Sequence, residues 1–139
     1  MPWSLSQPEE HPWVELVYHG VVPLHELVEA FEALMGLCRG RTLFLADCTR
    51  LEGQPSPVDL LRLIERFDTT SQGRQFREAI LVPKGQAADA VRFYETACLN
   101  RGFQVRVFEQ RGDAEAWLTA LALRAHRDEG DLTPPRDAP

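Results

Sequence analysis

Short apolar runs alternate with amphipathic segments along most of this chain, and that alternation limits the folds it can adopt. The runs Thr42–Ala46 and Ala79–Val82 have almost no polar residues, and Phe103–Phe108 is rich in apolar and β-branched ones. Runs this short and this apolar favour central strands that are covered on both faces. The segments between them and after the last run carry apolar residues at helical spacing, and the final one opens at Asp113 and is expected to bury Trp117. The pattern therefore predicts an α/β fold with a mainly parallel sheet and right-handed crossovers.

Two strand-like runs, Trp3–Gln7 and Trp13–His19, precede this alternation and are separated by a turn-like Pro-Glu-Glu-His segment. They predict an opening β-hairpin. The predicted order is then β-β-α-β-α-β-α-β-α, in one mixed, mainly parallel sheet with helices packed on it. We expect a single domain over residues 1–124. Residues 125–139 are polar and Pro-rich, which predicts a disordered tail.

Charge and hydropathy exclude several classes of function. The formal net charge is −6, and basic residues form no stripe that could follow a phosphate backbone, so nucleic acid is not an expected partner. No apolar run reaches the roughly 20 residues that a membrane span needs. The first residues, MPWSLSQPEEHPW, lack the basic and apolar regions of a secretory signal. We therefore expect a cytoplasmic protein.

Catalytic and metal-binding motifs are missing from the sequence. It contains no GxSxG, GxGxxG, P-loop or HExxH pattern. The three cysteines, Cys38, Cys48 and Cys98, show no CxxC spacing. The sequence thus predicts a protein that is not an enzyme and has no metal or cofactor.

The segment after the strand Thr42–Ala46 carries the polar residues of most interest. Ser56 can cap a helix that begins at Pro57, and Asp59 stands three residues after Ser56, as in a capping box. Asp47 ends the strand, at the position where open α/β sheets place ligand contacts. Its alternative role is to accept hydrogen bonds that hold the following loop, predicted over Cys48–Pro55.

Three stretches of the chain resemble the SpoIIAA-like group of STAS-type domains: VRVFEQRGDAEAWL at Val105–Leu118, LFLADCTRLEG at Leu43–Gly53 and FREAILV at Phe76–Val82. The resemblance spans Trp13 to Ala120. It implies the fold of bacterial anti-sigma-factor antagonists, which is similar in outline to the CRAL-TRIO lipid-transfer fold. In those antagonists a D-S-S-G turn carries a phosphorylated serine, and the matching turn here reads QPSP, Gln54–Pro57.

The resemblance implies a non-catalytic protein-interaction module in bacterial regulation. Its surface would be the Cys48–Pro57 loop and the helix that follows. The candidate regulatory or interaction residues are Ser56, Asp47, Arg50 and Asp59, with Ser56 acting either as a helix cap or as a phosphorylation switch. We expect a protein partner, whose identity the sequence does not give, and a homodimer stays open as an alternative.

An alternative function is the carriage or sensing of a small, apolar, lipid-like ligand in a crevice between the sheet and the helices. Phe67, Phe76 and Tyr94 are its candidate lining residues. The long polar segment Asp68–Arg77 would serve as a lid, since connections of this length are often functional.

Overall fold

The computed structural model describes residues 2–38, 42–53, 56–68, 76–83 and 89–131, with the backbone alone described at 37, 38, 67, 68, 90 and 125–131. The strands are β1 Trp3–Ser6, β2 Val14–Gly20, β3 Leu43–Leu51, β4 Arg77–Leu81 and β5 Gln104–Phe108. The helices are α1 Leu24–Cys38, α2 Pro57–Asp68, α3 Asp89–Asn100 and α4 Arg111–Asp131. The order β-β-α-β-α-β-α-β-α is confirmed.

The five strands form one sheet in the order β1-β2-β3-β4-β5. β1 pairs with β2 antiparallel, which confirms the opening hairpin, and every later pair is parallel. Each helix that links two parallel neighbours is long enough to carry the chain back to the start of the next strand. The predicted mixed, mainly parallel sheet is therefore confirmed.

Helices cover the two faces of the sheet unequally. On one face, α1, α2 and α3 bury residues such as Phe31, Ile64 and Cys98 against alternate residues of the strands. On the other face, Ala114 and Leu118 of α4 pack against Trp13, Leu43, Leu45 and Ala79. Because both faces are covered, the central strands can be as apolar as the sequence makes them.

The third strand is longer than its sequence indicates. β3 continues through Leu51, so Cys48–Leu51, which were predicted to be loop, are strand. This extension pairs with the end of β2, where His19 lies opposite Arg50 and Gly20 opposite Leu51. The prediction was wrong because neither Arg50 nor Thr49 is buried, so the apolar pattern stops although the backbone pairing continues.

The last helix departs from the sequence prediction at three points. It begins at Arg111, two residues before the predicted start at Asp113, and it continues to Asp131. Residues 125–131, assigned by sequence to the tail, thus have a helical backbone, while 132–139 lie outside the described residues. Trp117 was expected to be buried, but it is only partly buried and packs against Phe108, with ring centroids 5.7 Å apart.

Candidate functional site

A cavity of about 70 Å³ lies between the sheet and helices α1, α2 and α3. Its walls are mainly aliphatic, and its polar groups are two phenols, a thiol and a carboxyl. The lining residues are Tyr18, Leu27, Ala46, Cys48, Leu51, Leu60, Leu63, Glu78, Ile80, Val91 and Tyr94. Of these, Cys48, Leu51 and Val91 are partly exposed and the others are buried.

The alternation of side chains along β4 places Glu78 in this cavity. Phe76, Glu78 and Ile80 all point to the face that α1, α2 and α3 cover. In the sheet register Glu78 lies between Phe44 of β3 and Val105 of β5. The residue is 9% exposed, which makes it a buried acid on the apolar face of a central strand.

Glu78 is held by one phenol of α3. Tyr94 Oη donates a hydrogen bond of 2.9 Å to Glu78 Oε1, and Tyr94 is the carboxyl's hydrogen-bond partner among the described side chains. Burial raises the pKa of Glu78 to about 7, although the hydrogen bond from Tyr94 lowers it. The carboxyl can therefore change its protonation state near neutral pH.

The remaining polar groups of the cavity are weak acids. Burial raises the pKa of Tyr18 well above its usual range, and the nearby Cys48 and Glu78 add to the effect. Burial, with Glu78 and Asp47, also raises the pKa of the Cys48 thiol. The pairing of β2 with β3 shifts here, since Cys48 and Thr49 both lie opposite Tyr18 between two paired positions. Such bulges reorient side chains and are frequent beside functional sites.

A second feature lies at the edge of the sheet where the parallel strands end, called here the carboxyl edge. The Glu52 N–H donates a hydrogen bond of 2.8 Å to the Gly20 carbonyl, which joins the segment after β2 to the segment after β3. Gly20 has a φ of 65°, a conformation that favours glycine. Two valines at this edge are exposed: Val21, which follows β2, at 73% and Val58, in the first turn of α2, at 57%.

Ser56 caps α2 at the same edge. The Asp59 N–H donates a hydrogen bond of 3.1 Å to Ser56 Oγ, which is the contact that the capping pattern predicted. The Ser56 side chain is exposed. Gln54 and Pro55, which complete the QPSP turn with Ser56 and Pro57, lie outside the described residues.

Asp47 points away from the cavity and toward α4. Asp47 Oδ1 accepts hydrogen bonds from the Thr49 N–H at 2.9 Å and the Thr49 hydroxyl at 2.6 Å. Its other oxygen lies 3.6 Å from Arg111 Nη2, and the same guanidinium bonds Glu15 Oε1 at 3.0 Å and Glu115 Oε2 at 3.1 Å. Asp47 therefore accepts hydrogen bonds from a residue that follows it, which is the second of its two anticipated roles, and it also helps to attach α4, which the sequence did not predict.

The structure does not bring the four candidate interaction residues together. Ser56 and Asp59 lie together at the start of α2, while Asp47 is on the opposite face of the sheet. Arg50 is exposed on β3.

The candidate ligand residues are also separated. Tyr94 lines the cavity, whereas Phe76 packs in the core between Phe44 and Phe103, with ring centroids 5.2 and 6.0 Å away. The side chain of Phe67 lies outside the described residues, as does most of the Asp68–Arg77 lid.

Sequence reasoning missed Glu78, Tyr18 and the exposed Val21 and Val58. A signal for Glu78 was present, because it alternates with Phe76 and Ile80 in FREAILV and must share their buried face. Tyr18 carried a similar signal in WVELVY, where it alternates with Val14 and Leu16.

Within the described residues, no group of three or more His, Cys, Asp or Glu side chains is arranged to hold a metal ion. No helix in that part of the chain is both long and apolar enough to cross a membrane.

Comparison with known proteins establishes the fold. No protein-family model and no curated protein matches the chain. Among solved structures, it is similar to an uncharacterized DUF3478-family protein with a SpoIIAA-like fold from Shewanella loihica PV-4. The two are 22% identical with a TM-score of 0.57, over 84% of this chain and 91% of that one. The chain therefore has a SpoIIAA-like fold, as its sequence predicted. A crystal structure of Mglu aligns with a TM-score of 0.38, at 18% identity over 78% of this chain and 19% of that one.

Proposed function

We propose that this protein is a non-catalytic STAS-like module that binds a protein partner, in bacterial regulation within the cytoplasm. Its docking surface is the carboxyl-edge patch, defined as Val21, Ser56 and Val58. The SpoIIAA-like fold supports the proposal, since the antagonists that share this fold act through protein contacts. The fold by itself does not specify a partner, so the binding surface has to be inferred from the exposed residues of the site.

The observation that carries the proposal is the joint exposure of Val21 and Val58. Val21 follows β2 and Val58 lies in the first turn of α2, the helix after β3, and the Glu52–Gly20 hydrogen bond joins the ends of those two strands. Two exposed β-branched side chains at the same edge of the sheet favour an apolar contact with a protein. Binding there removes their surface from water, and little chain entropy is lost because the two strand ends are already hydrogen-bonded to each other.

Site-specific loss of binding tests this proposal. We expect the wild-type protein to bind a partner from the source organism that a Val21→Ser, Val58→Ser double variant binds at least tenfold more weakly. Leu123→Ser is the matched control, because Leu123 is exposed on α4 and lies outside the patch. Equal binding by the double variant would exclude the patch. A dimer that sedimentation detects for the wild type and not for the double variant would identify the partner as a second copy.

The cavity favours a second candidate function, the carriage or sensing of a small, largely apolar ligand. Its aliphatic walls include Leu27, Leu60, Leu63 and Ile80. Ligand sites combine such walls with a few polar groups that fix orientation, and Glu78, Tyr94 and Tyr18 are groups of that kind. Mass spectrometry of the native protein from its own host tests this candidate: a bound small molecule supports it, and protein free of any ligand counts against it.

A further inference from the structure

Glu78 is costly for the fold and has no role in the proposed protein contact. It is 9% exposed in the middle of the sheet, and burying a carboxyl is unfavourable unless its oxygens are bonded. Tyr94 satisfies Oε1, and among the described residues no donor is within hydrogen-bonding distance of Oε2. Because the carboxyl lines the cavity, a molecule inside the cavity can reach the second oxygen.

The charge of the lining restricts what that molecule can be. Glu78, Tyr94, Tyr18 and Cys48 are all acids, and among the described residues no Arg, Lys or His lines the cavity. An anionic guest such as a carboxylate would find no cation there, and ionised Glu78 would repel it. A cationic guest would form a charge-assisted hydrogen bond to the carboxylate, and its positive charge would offset the free-energy cost of burying the ionised Glu78.

The size of the cavity restricts the guest further. A water molecule needs about 10–15 Å³ of such a volume, so 70 Å³ holds roughly five non-hydrogen atoms. The cavity walls near Glu78 are aliphatic, with Leu60 and Leu63 on α2 and Ile80 beside Glu78 on β4. A hydrocarbon chain of about four carbons fits that space with one polar end at Glu78.

We propose that this cavity binds a short-chain primary ammonium ion, with the ammonium group on Glu78 and the hydrocarbon chain among Leu60, Leu63 and Ile80. The inference rests on the second candidate function and gives its ligand class. Tyr94 positions the carboxyl through Oε1 and leaves Oε2 to the ligand.

Binding should then depend on the protonation of Glu78. Among the described residues, the titratable groups that face it are Tyr18 of β2, Cys48 of β3, and Tyr94 and Cys98 of α3. Burial raises the pKa of each, so all four stay protonated near neutral pH. The neighbouring residue of β5 is Val105, and α1 and α2 contribute leucines. Primary amines keep their charge below about pH 10. Since the pKa of Glu78 is about 7, affinity should rise about tenfold between pH 6 and pH 8.

The test compares three probes of similar size, n-butylamine, butan-1-ol and butyrate, by NMR titration of the full-length protein at pH 6, 7 and 8. We expect n-butylamine to bind best, with the tenfold rise in affinity with pH, and butyrate to bind least. Glu78→Gln keeps the shape and an acceptor for Tyr94, and should weaken n-butylamine at least tenfold while changing butan-1-ol little. Glu29→Gln, at an exposed carboxylate of α1, is the control and should bind like the wild type.

The outcomes separate the ammonium inference from ligand binding itself. If butan-1-ol and n-butylamine bind equally and Glu78→Gln changes neither, the cavity binds apolar ligands but the ammonium inference is wrong. If no probe binds at any pH, both the inference and the second candidate function fail. Should Glu78→Gln not fold, the pH series on the wild-type protein decides, because a flat profile for n-butylamine overturns the inference.

Discussion

Tyr94 on helix α3 and Glu78 on strand β4 share a hydrogen bond of 2.9 Å inside the cavity, and the bond shifts their two pKa values in opposite directions. Burial raises the pKa of Tyr94, and the adjacent Glu78 carboxyl raises it further. The bond lowers the pKa of Glu78, but burial outweighs it and leaves that value near 7. The phenol therefore remains a donor at every physiological pH, and the proton that moves near neutrality belongs to Glu78.

Replacing Glu78 by Gln should remove a pH dependence of stability. The raised pKa, about 7 against 4.5 unfolded, means that the folded state holds this proton more tightly. The bound proton stabilises the folded state fully below pH 4.5, and this contribution to the free energy of unfolding is lost as pH rises through 7. Relative to Glu78→Gln, the wild type should lose about 3 kcal/mol between pH 4.5 and pH 8. Urea unfolding of both proteins across this range measures the difference, and parallel curves would contradict it.

Tyr94→Phe should destabilise the protein more at high pH than at low pH. A lost hydrogen bond to a neutral group costs about 1 kcal/mol, and one to a charged group about 1.5–3 kcal/mol. The pKa of Glu78 should also rise further, because the bond that lowers it is gone. Urea unfolding at pH 5 and pH 8, with NMR titration of the Glu78 carboxyl, tests both effects.

Tyr18→Phe is the control for that experiment, since Tyr18 lines the same cavity without a hydrogen bond to Glu78. If the two phenylalanine variants shift the pKa of Glu78 equally, the Tyr94 bond is not what sets it.

The order of the strands and helices could be predicted because the apolar pattern reports burial directly. Leu43, Leu45 and Ala79 pack on α4 while Phe44 and Ile80 pack on the other helices, and covering both faces leaves an uninterrupted apolar run. The end of β3 could not be predicted in this way. Beyond Asp47 the strand pairs with β2 alone among the described residues, and Thr49 and Arg50 are exposed, so the apolar pattern stops before the backbone pairing does.

The candidate site was harder to predict for a related reason. The helix cap joins Ser56 to Asp59, three residues later, so the local sequence contains both partners of the hydrogen bond and predicts it. The pair of Glu78 with Tyr94 joins a strand to a helix 16 residues later. Its existence depends on how α3 lies across the sheet, which a single sequence does not specify. Arg111 similarly joins residues as distant as Glu15.

Arg111→Met should loosen the attachment of α4. The guanidinium contacts Glu15, Asp47 and Glu115, and its loss leaves two partly buried carboxylates without it. Because Arg111 is 41% exposed, solvent screens these pairs, and we expect a loss of about 1–2 kcal/mol that shrinks in 0.5 M salt. Urea unfolding at two salt concentrations measures it. Arg92→Met, at a pair within α3, should cost under about 0.5 kcal/mol, and an equal loss there would contradict a special role for Arg111.

Deletion of residues 126–139 should leave the melting temperature within about 2 °C of the wild type, because this polar, Pro-rich composition adds little to a core. The helical backbone through Asp131 makes a second truncation useful, the deletion of 132–139 alone. If the melting temperature falls by many degrees in the longer deletion only, residues 126–131 pack on the domain. If it falls in both deletions, residues 132–139 pack on the domain.

Ser56 allows its two roles to be separated by paired substitutions. Ser56 Oγ accepts the Asp59 N–H bond of 3.1 Å, so Ser56→Ala should lose about 1 kcal/mol of stability. Ser56→Asp should restore it, because Asp also caps and its charge suits a helix N-terminus. Thermal unfolding of the three proteins measures this part. An Asp variant as unstable as the Ala variant would contradict the capping role.

Binding measures the other part, because the hydroxyl is exposed beside Val58, inside the carboxyl-edge patch. If Ser56 acts as a cap alone, both variants should bind the partner of that patch as the wild type does, apart from small effects of stability. If Ser56 is also a phosphorylation switch, Ser56→Asp should stay stable and yet change that affinity severalfold, since a negative charge would then lie within the contact. We expect the first result. If the Asp variant is stable and has an altered affinity while the Ala variant has a normal affinity, then the partner responds to the charge at position 56 and not to the helix cap.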